Sequence, residues 1–327
     1  MALSRPAINA IVTSTVFPII ASVAVALRFI ARSKKKQPFG SDDWSILAAL
    51  ICCLSIAVVA IWAACIGLTG AQWSHFTPIQ FTKLRKIQFA QILLSHVIFG
   101  LTKLSVVFFY KRIFNLGRIV IATNLALALV ILFMITSFFT LLFCARGVSS
   151  FWTTPPQLEG TQYIMKLSDL IKAYSIIDIV LDITILSLPL APIYRMHLSV
   201  GRRLAITAIF LLGAFCLVCS IVRLHYVQEL DNSPTLPPEK RPRIYDNNDL
   251  WAHLEAYAST LTACLPTLRP IFPNYRSLHS LVASVRSWIS ASSNSSRQNN
   301  VDEEQLCENR DVIPPNNILG PAASQSD

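Results

Sequence analysis

Seven long apolar stretches fill most of this 327-residue chain, and short polar segments holding most of its charge separate them. A helix needs roughly 20 mostly apolar residues, at a rise of ~1.5 Å each, to cross a hydrocarbon layer ~30 Å thick. Backbone amides find no water in that layer, so a spanning segment is either a helix or a strand of a closed barrel. The period-two alternation of barrel strands is absent here. The pattern predicts an all-α integral membrane protein, a seven-transmembrane helix bundle in contact with the lipid bilayer.

The spans fall at roughly 7–30, 44–68, 87–110, 119–143, 170–194, 204–226 and 250–269. Arg32, Lys34, Lys35 and Lys36 follow the first span at once. Such a block stays on the cytoplasmic side, which predicts the N-terminus outside and, after seven crossings, the C-terminus inside. The first apolar stretch is too long for a cleaved signal and no small-residue cleavage site follows it. Inner loops then carry Lys111, Arg112, Arg118, Arg195, Arg202 and Arg203. Outer loops carry Lys83, Arg85, Lys86, Lys240, Arg241 and Arg243, so the orientation rests mainly on the first loop. The seventh span is the weakest, because it contains His253 and Glu255.

The expected organisation is a short extracellular N-terminus (1–6), a membrane domain (7–270), an amphipathic juxtamembrane segment (271–290) and a disordered cytoplasmic tail (291–327). In the third of these, Leu278, Leu281, Val282, Val285, Trp288 and Ile289 recur at helical spacing with Arg276 and Arg286 among them. That suits a helix lying on the inner leaflet; a plain linker is the alternative. The tail lacks apolar anchors, and its Asn294-Ser295-Ser296 acceptor sequence would not meet the glycosylation machinery from the inside. The chain is 53% hydrophobic and 14% charged, against about 25% charged in soluble domains. Its net charge of +10 sits at helix ends and in loops rather than on one face, so nucleic acid is not an expected partner.

Six ionisable residues interrupt the apolar spans: Lys103, Asp178, Asp182, Arg223, His253 and Glu255. A charge at the bilayer centre costs ~2.5–3.5 kcal/mol even on a gentle insertion scale. These side chains must face the bundle interior and partner one another. At ~1.5 Å per residue, Lys103 lies roughly 24 Å below the outer end of its span and Asp182 roughly 18 Å below that of its own, which pairs them. Arg223 and Glu255 both fall within about two turns of the outer surface and form a second pair. Asp178, one turn from Asp182 on the same face, can serve either pair or hold a proton. These residues are candidates for a ligand pocket or a helix lock; the alternative is structural adhesion between helices, where polar contacts contribute about 0.6–2 kcal/mol each.

Several chemistries find no support. His96, His225, His253 and Glu255 could suit zinc by type, but no HExxH pairing exists and His253 and Glu255 project about 200° apart on a helix. No GxSxG elbow offers a nucleophile. No catalytic residue, metal site or cofactor is therefore expected, and the chain does not read as an enzyme. Cys216-Leu217-Val218-Cys219 has redox spacing, yet inside an apolar span cysteine acts as a small hydrophobe.

Ordered short pieces along the chain carry a resemblance. They are Asp42-Asp43-Trp44; Leu101-Thr102-Lys103-Leu104-Ser105 with Tyr110 and Arg112-Ile113-Phe114; Cys144 and Trp152; Asp178, Asp182 and Pro189-Leu190; Gly213 and Ser220-Ile221-Val222-Arg223; and Trp251, Glu255 and Cys264-Leu265-Pro266-Thr267-Leu268-Arg269-Pro270. From about Arg28 to Pro270 the chain resembles the fungal rhodopsin-domain family of seven-helix membrane proteins. The resemblance implies receptor-like signalling, and some such proteins are encoded beside secondary-metabolite pathways. Three departures stand out. Gly67-Leu68-Thr69-Gly70-Ala71-Gln72-Trp73 lacks the family's histidine, and Pro189-Leu190-Ala191-Pro192 replaces Pro-Leu-Pro. The loop after the fourth span lacks a second cysteine to pair with Cys144, leaving that disulfide in doubt. Covalent retinal is not expected, because no lysine follows Lys240 to form a Schiff base in the seventh span.

Two readings of function remain. One is a plasma-membrane receptor for a small extracellular ligand, which would enter near Arg223, His253 and Glu255 and pass its signal to a cytoplasmic protein at Lys111-Arg112, Arg195 and Arg202-Arg203. The other is a transporter or accessory membrane protein of a small-metabolite pathway. An intramembrane hydrolase trails both.

Overall fold

A computed structural model describes residues 4–34, 36–71, 76–113, 117–153, 164–189, 200–231 and 240–268. The predicted juxtamembrane segment, the tail and the end of the fifth span from residue 190 lie outside these residues. Eight helices and no strand occur among the described residues. They are α1 (Arg5–Lys34), α2 (Ser41–Cys65), α3 (Pro78–Ile113), α4 (Arg118–Leu142), the one-turn α5 (Ser150–Thr153), α6 (Leu167–Ser187), α7 (Val200–Asp231) and α8 (Arg241–Leu268).

The helices are apolar on the outside and polar within. On α1, Ile8, Val12, Val16, Ile19, Val23 and Ile30 are exposed, while Ser14, Pro18, Ala21, Val25, Arg28 and Arg32 are buried at three- and four-residue steps. Elsewhere Val58, Ile121 and Leu211 stand outward with about two-thirds of their surface free, whereas Arg28 and Glu255 are at most 1% exposed. In water this distribution would be inside out. Against lipid tails it costs nothing, because the surrounding solvent is as apolar as the side chains. The protein is thus an integral membrane protein of helices. Among the described residues five helices are long and apolar enough to cross a membrane: Arg5–Lys34, Ser41–Cys65, Pro78–Ile113, Ile119–Leu142 and Phe210–Leu230. α6 and α8 fall short by that measure; Asp169, Lys172, Asp178 and Asp182 break the apolar run of α6, and Asp246, Asp249, His253 and Glu255 that of α8.

Each helix packs on its neighbour in chain order, α1 to α4, then α4 on α6, α6 on α7 and α7 on α8. α8 returns to α1 and closes the bundle; α3 also touches α5, α6 and α8, which makes it the central helix. Small side chains line the α1–α2–α8 seam: Ala21, Ala24, Ala49, Ala263 and Cys264. Such residues let backbones approach when no hydrophobic effect drives association. The larger core around α3 is built from Ile56, Ile98, Phe99, Val107, Phe133, Tyr174, Leu181 and Tyr257.

Two helices begin nine residues earlier than predicted, at 78 rather than 87 and at 241 rather than 250. α3 starts at Pro78, not near residue 87, because Thr77 and Gln80 form a reciprocal cap: the Thr77 N–H donates to Gln80 Oε1 (2.9 Å) and the Gln80 N–H to Thr77 Oγ1 (3.3 Å). Lys83, Arg85 and Lys86, expected in a loop, are therefore helical. Two of these charges find aromatic partners, with Arg85 lying 5.6 Å from the Phe81 ring and 5.7 Å from that of Phe151, and Lys86 5.4 Å from that of Trp152. α8 likewise starts at Arg241 rather than near 250, which draws Arg241 and Arg243 into a helix.

Candidate functional site

Among the described residues two buried ionic networks occupy the bundle. The first lies where α1 ends and α2 begins. Arg28 Nε donates to Asp43 Oδ1 (2.9 Å), Nη2 to Asp42 Oδ2 (2.6 Å) and Nη1 to the Ala263 carbonyl of α8 (2.7 Å). Arg32 pairs with Asp42 and lies 2.6 Å from Asp43 Oδ2. From α3, Ser105 Oγ donates to the Asp42 carbonyl (2.7 Å). Asp43 also accepts from the Gly40 N–H (3.1 Å), so the same carboxylate caps α2. Four helices meet on these groups.

Sequence reasoning missed this network, because it assigned Arg32 to topology and Asp42-Asp43 to a family signature. A usable signal was present. Arg28 and Arg32 sit one turn apart, and a short connection folds Asp42 and Asp43 back against them.

The second network lies mid-bundle and contains five of the six predicted residues. Lys103 Nζ on α3 is 2.7 Å from Asp182 Oδ1 and 3.0 Å from Asp178 Oδ1, both on α6. Arg223 on α7 pairs with Glu255 on α8, Nε to Oε2 at 2.7 Å, and its Nη2 lies 3.6 Å from Asp178 Oδ2. Asp178 thus joins the two pairs that depth arithmetic had separated. Ser220 Oγ, one turn before Arg223, donates to Glu255 Oε1 (2.6 Å). Phe99 lies beneath both cations, with the Arg223 guanidinium 4.8 Å and Lys103 Nζ 5.9 Å from its ring. An aromatic face in such a position stabilises desolvated positive charge. Nothing in the sequence marks Phe99 out from its apolar neighbours.

His253 stands apart. It is buried beside Tyr257, ring centroids 6.3 Å apart, and among the described residues it joins no ion pair. Its position two residues before Glu255 turns it to another face of α8. His96 packs edge-on against Phe99 and Tyr174, and its Nδ1 is 2.8 Å from the Ile92 carbonyl. Among the described residues, the group able to converge on an ion is Asp178, Asp182 and Glu255, not the histidines. Cys144 is a buried free thiol, and its carbonyl accepts from the Ile164 N–H (2.9 Å).

A cavity of about 50 Å³ borders the second network. Lys103 and Asp182 form its polar edge; Thr102, Tyr110, Ser259 and Thr262 add hydroxyls, and Gly213 and Pro266 complete the wall. It lies toward the Tyr110 and Pro266 ends of α3 and α8. The expected ligand position beside Arg223, His253 and Glu255 is on the other side of the network, and none of those three lines this cavity.

At the opposite end of α8, ahead of the predicted seventh span, the Gly70 N–H donates to Asp246 Oδ2 (2.9 Å). Gly70 has φ +73°, and a Cβ there would collide with Ser4. Burial pushes the Asp246 carboxyl up to about 7, against the opposing pull of the Gly70 N–H. Burial, helped by the charge of Asp246, pushes Asp249 up to about 7 as well.

The fungal rhodopsin domain matches this chain over residues 27–274. A polyenoic acids biosynthesis gene cluster protein, Ba17b of Metarhizium anisopliae, is 27% identical over 78% of this chain and 71% of its own length. A SAT4 family membrane protein of Emericella nidulans is 28% identical over 68% of this chain, and Receptor GIN3 of Arthrobotrys oligospora 22% identical over 80%. The chain spans 54% and 61% of the length of those last two.

Proposed function

The chain belongs to the fungal rhodopsin domain family, and from that premise we propose a receptor-like protein of the plasma membrane that senses a small extracellular ligand. In this reading seven helices cross the bilayer, α6 and α8 included, because their charges are turned inward and matched. The N-terminus lies outside, consistent with Arg32 and Lys34 closing α1 and Lys111 and Arg112 closing α3. One observation carries the proposal: a single ionic chain through Asp178 ties α3, α6, α7 and α8 together at mid-depth. Displacing α6 and α7 against α3 and α8 breaks charge pairs that lipid cannot resolvate. The bundle is therefore suited to two discrete packings, and a ligand acts by binding one better than the other. A cytoplasmic signalling protein would read the change at the basic helix ends. The name of the GIN3 relative supports a receptor.

The test compares wild type with Arg223→Ala in a deletion strain, with signalling output and metabolite profile read together. Wild type restores the phenotype. Arg223→Ala reaches the membrane at a comparable level yet fails to restore it; full restoration would remove the lock.

A second reading is transport or accessory service for a small-metabolite pathway. It draws on relatives named for polyenoic acid and phomoidride biosynthesis clusters. Flux of the pathway product into proteoliposomes would favour it over the receptor.

A further inference from the structure

A larger cleft lies away from both ionic networks, between the end of α4 and the start of α6, with a volume of about 240 Å³. Its rim is Phe139 and Phe143 on one side and Ile164 and Met165 on the other, each at least half exposed. Cys144 and Leu170, both buried, line it further in. The Ile164 N–H donates to the Cys144 carbonyl (2.9 Å) and ties its two sides together. Among the described residues, no charged side chain lines it. The cleft interrupts the face already assigned to lipid. α4 turns Leu132, Ile135 and Phe139 outward along one edge, and α6 turns Ile176, Val180 and Ile183 outward along the other. Continuity with that face means that what fills the cleft comes from the bilayer.

Shape and chemistry narrow the occupant. A closed apolar cavity of ~150 Å³ admits a benzene ring, so a larger cleft with an open side admits fused rings. Phe139 and Phe143, one turn apart, hold their rings within 5° of parallel, centroids 6.3 Å apart. Aromatic faces fixed in one orientation suit a flat, rigid body. Such a body loses little freedom on binding, whereas an acyl chain must give up many rotors. The one hydroxyl on the lining belongs to Thr140. Its single proton goes to the Thr136 carbonyl (2.5 Å), so in the contact with Tyr174 (2.6 Å) the phenol donates. Thr140 Oγ1 is left able to accept one more hydrogen bond and unable to donate one. The polar end that it recognises is therefore a neutral hydroxyl. A carboxylate or phosphate finds neither a donor nor a countercharge on these side chains.

We propose that this cleft binds a membrane sterol, its fused rings against Phe139 and Phe143 and its hydroxyl donating to Thr140 Oγ1. Thr140 lies two residues from the end of α4, the depth at which a molecule with one polar end keeps that end near the interface. Behind Thr140, Tyr174 packs edge-on against His96 and Phe133, ring centroids 6.1 Å apart in each pair. His96 in turn meets Phe99 (6.0 Å), the ring beneath the mid-bundle cations. The cleft thus stands at one end of an unbroken run of side-chain contacts that reaches the second network. The inference needs α4 and α6 in lipid. It does not rest on the receptor reading, and it holds for either orientation because a sterol hydroxyl can face either surface.

The experiment uses the full chain in phosphatidylcholine vesicles that carry a diazirine derivative of cholesterol, with labelled peptides mapped by mass spectrometry after irradiation. Wild type is labelled saturably, and the label concentrates at residues 139–144 and 164–170. Unlabelled cholesterol displaces it, and cholesterol methyl ether, which has no proton to donate, does so several-fold less well. Phe139→Ala with Phe143→Ala lowers this labelling several-fold in protein that still elutes as one species, since both rings face lipid. Thr140→Val removes the preference for cholesterol over its methyl ether, and it carries the test if the double variant does not fold. Label spread evenly over the lipid-facing residues of α1 and α2 overturns the proposal, as does labelling unchanged in these variants. Equal displacement by oleic acid also overturns it, because an acyl chain is then the occupant. Signalling is scored separately in cells, so failure here and failure of the receptor reading are distinguishable.

Discussion

The two buried networks differ in balance and in reach. At the α1–α2 turn, Arg28 and Arg32 face Asp42 and Asp43, two charges against two, with Arg28 hydrogen-bonded through all three nitrogens. Its charged members lie within one helical hairpin. At mid-bundle, two cations face three carboxylates, and the members come from residues 103 to 255 on four helices. The first is matched charge for charge within that hairpin and acts as a clasp. The second sets three carboxyl groups against two cations, borders a cavity and joins four helices. Breaking a buried ion pair is costly, so the first network holds one hairpin together, whereas the second fixes how four helices sit against one another.

The largest expected effect falls on the clasp. Arg28→Ala strands Asp42 and Asp43 with one cation and removes the bond to the Ala263 carbonyl. It should cost about 3–5 kcal/mol and be seen as loss of monodisperse protein. A smaller fall in Tm than Arg223→Ala produces would reverse the ranking of the two networks.

Lys103→Met comes next, since it leaves one cation against three carboxylates, at about 3 kcal/mol. Adding Asp182→Asn restores the original imbalance of one charge and should recover more than half of the loss in a double-mutant cycle. Simple additivity would mean that these two groups do not interact.

Glu255→Gln brings the mid-bundle network to two against two. It should change stability by about 1 kcal/mol or less while abolishing the response to ligand. An intact response in folded protein would mean that the imbalance has no role.

The smallest effect concerns pH, outside both networks. Asp246 is held near 7 in the folded chain, against about 3.9 for an unperturbed aspartate. The folded state therefore binds the proton more tightly, and stability falls as pH rises from about 4 to 7, then levels off. Asp246→Asn should flatten that slope in a Tm–pH series. A slope unchanged by the substitution would assign it to Asp249 or to another group.

Much of the site was legible because depth along a helix can be counted. Lys103 and Asp182 were paired from a constant rise per residue, and Arg223 and Glu255 in the same way. The bridging role of Asp178 was left open, because counting gives height and not azimuth. The Arg28–Asp43 clasp was passed over because its members flank the predicted spans, where charge is usually put down to topology. The start of α3 was missed because Lys83, Arg85 and Lys86 looked like a loop; Thr77, Pro78 and Gln80 held the contrary signal. The cavity could not be read at all, since its walls come from α3, α6, α7 and α8 together.

What the chain determined by itself is a set of membrane helices, since apolar length and the need to satisfy backbone amides internally are properties of each segment alone. It also determined that charges inside those helices must turn inward. The tertiary structure decided which cation meets which carboxylate, that three carboxyl groups share two cations, and where the adjoining cavity lies. Those outcomes depend on how far each helix is rotated and how closely it approaches, which side chains distant in sequence, such as Ala21, Ala49 and Ala263, settle only when they pack.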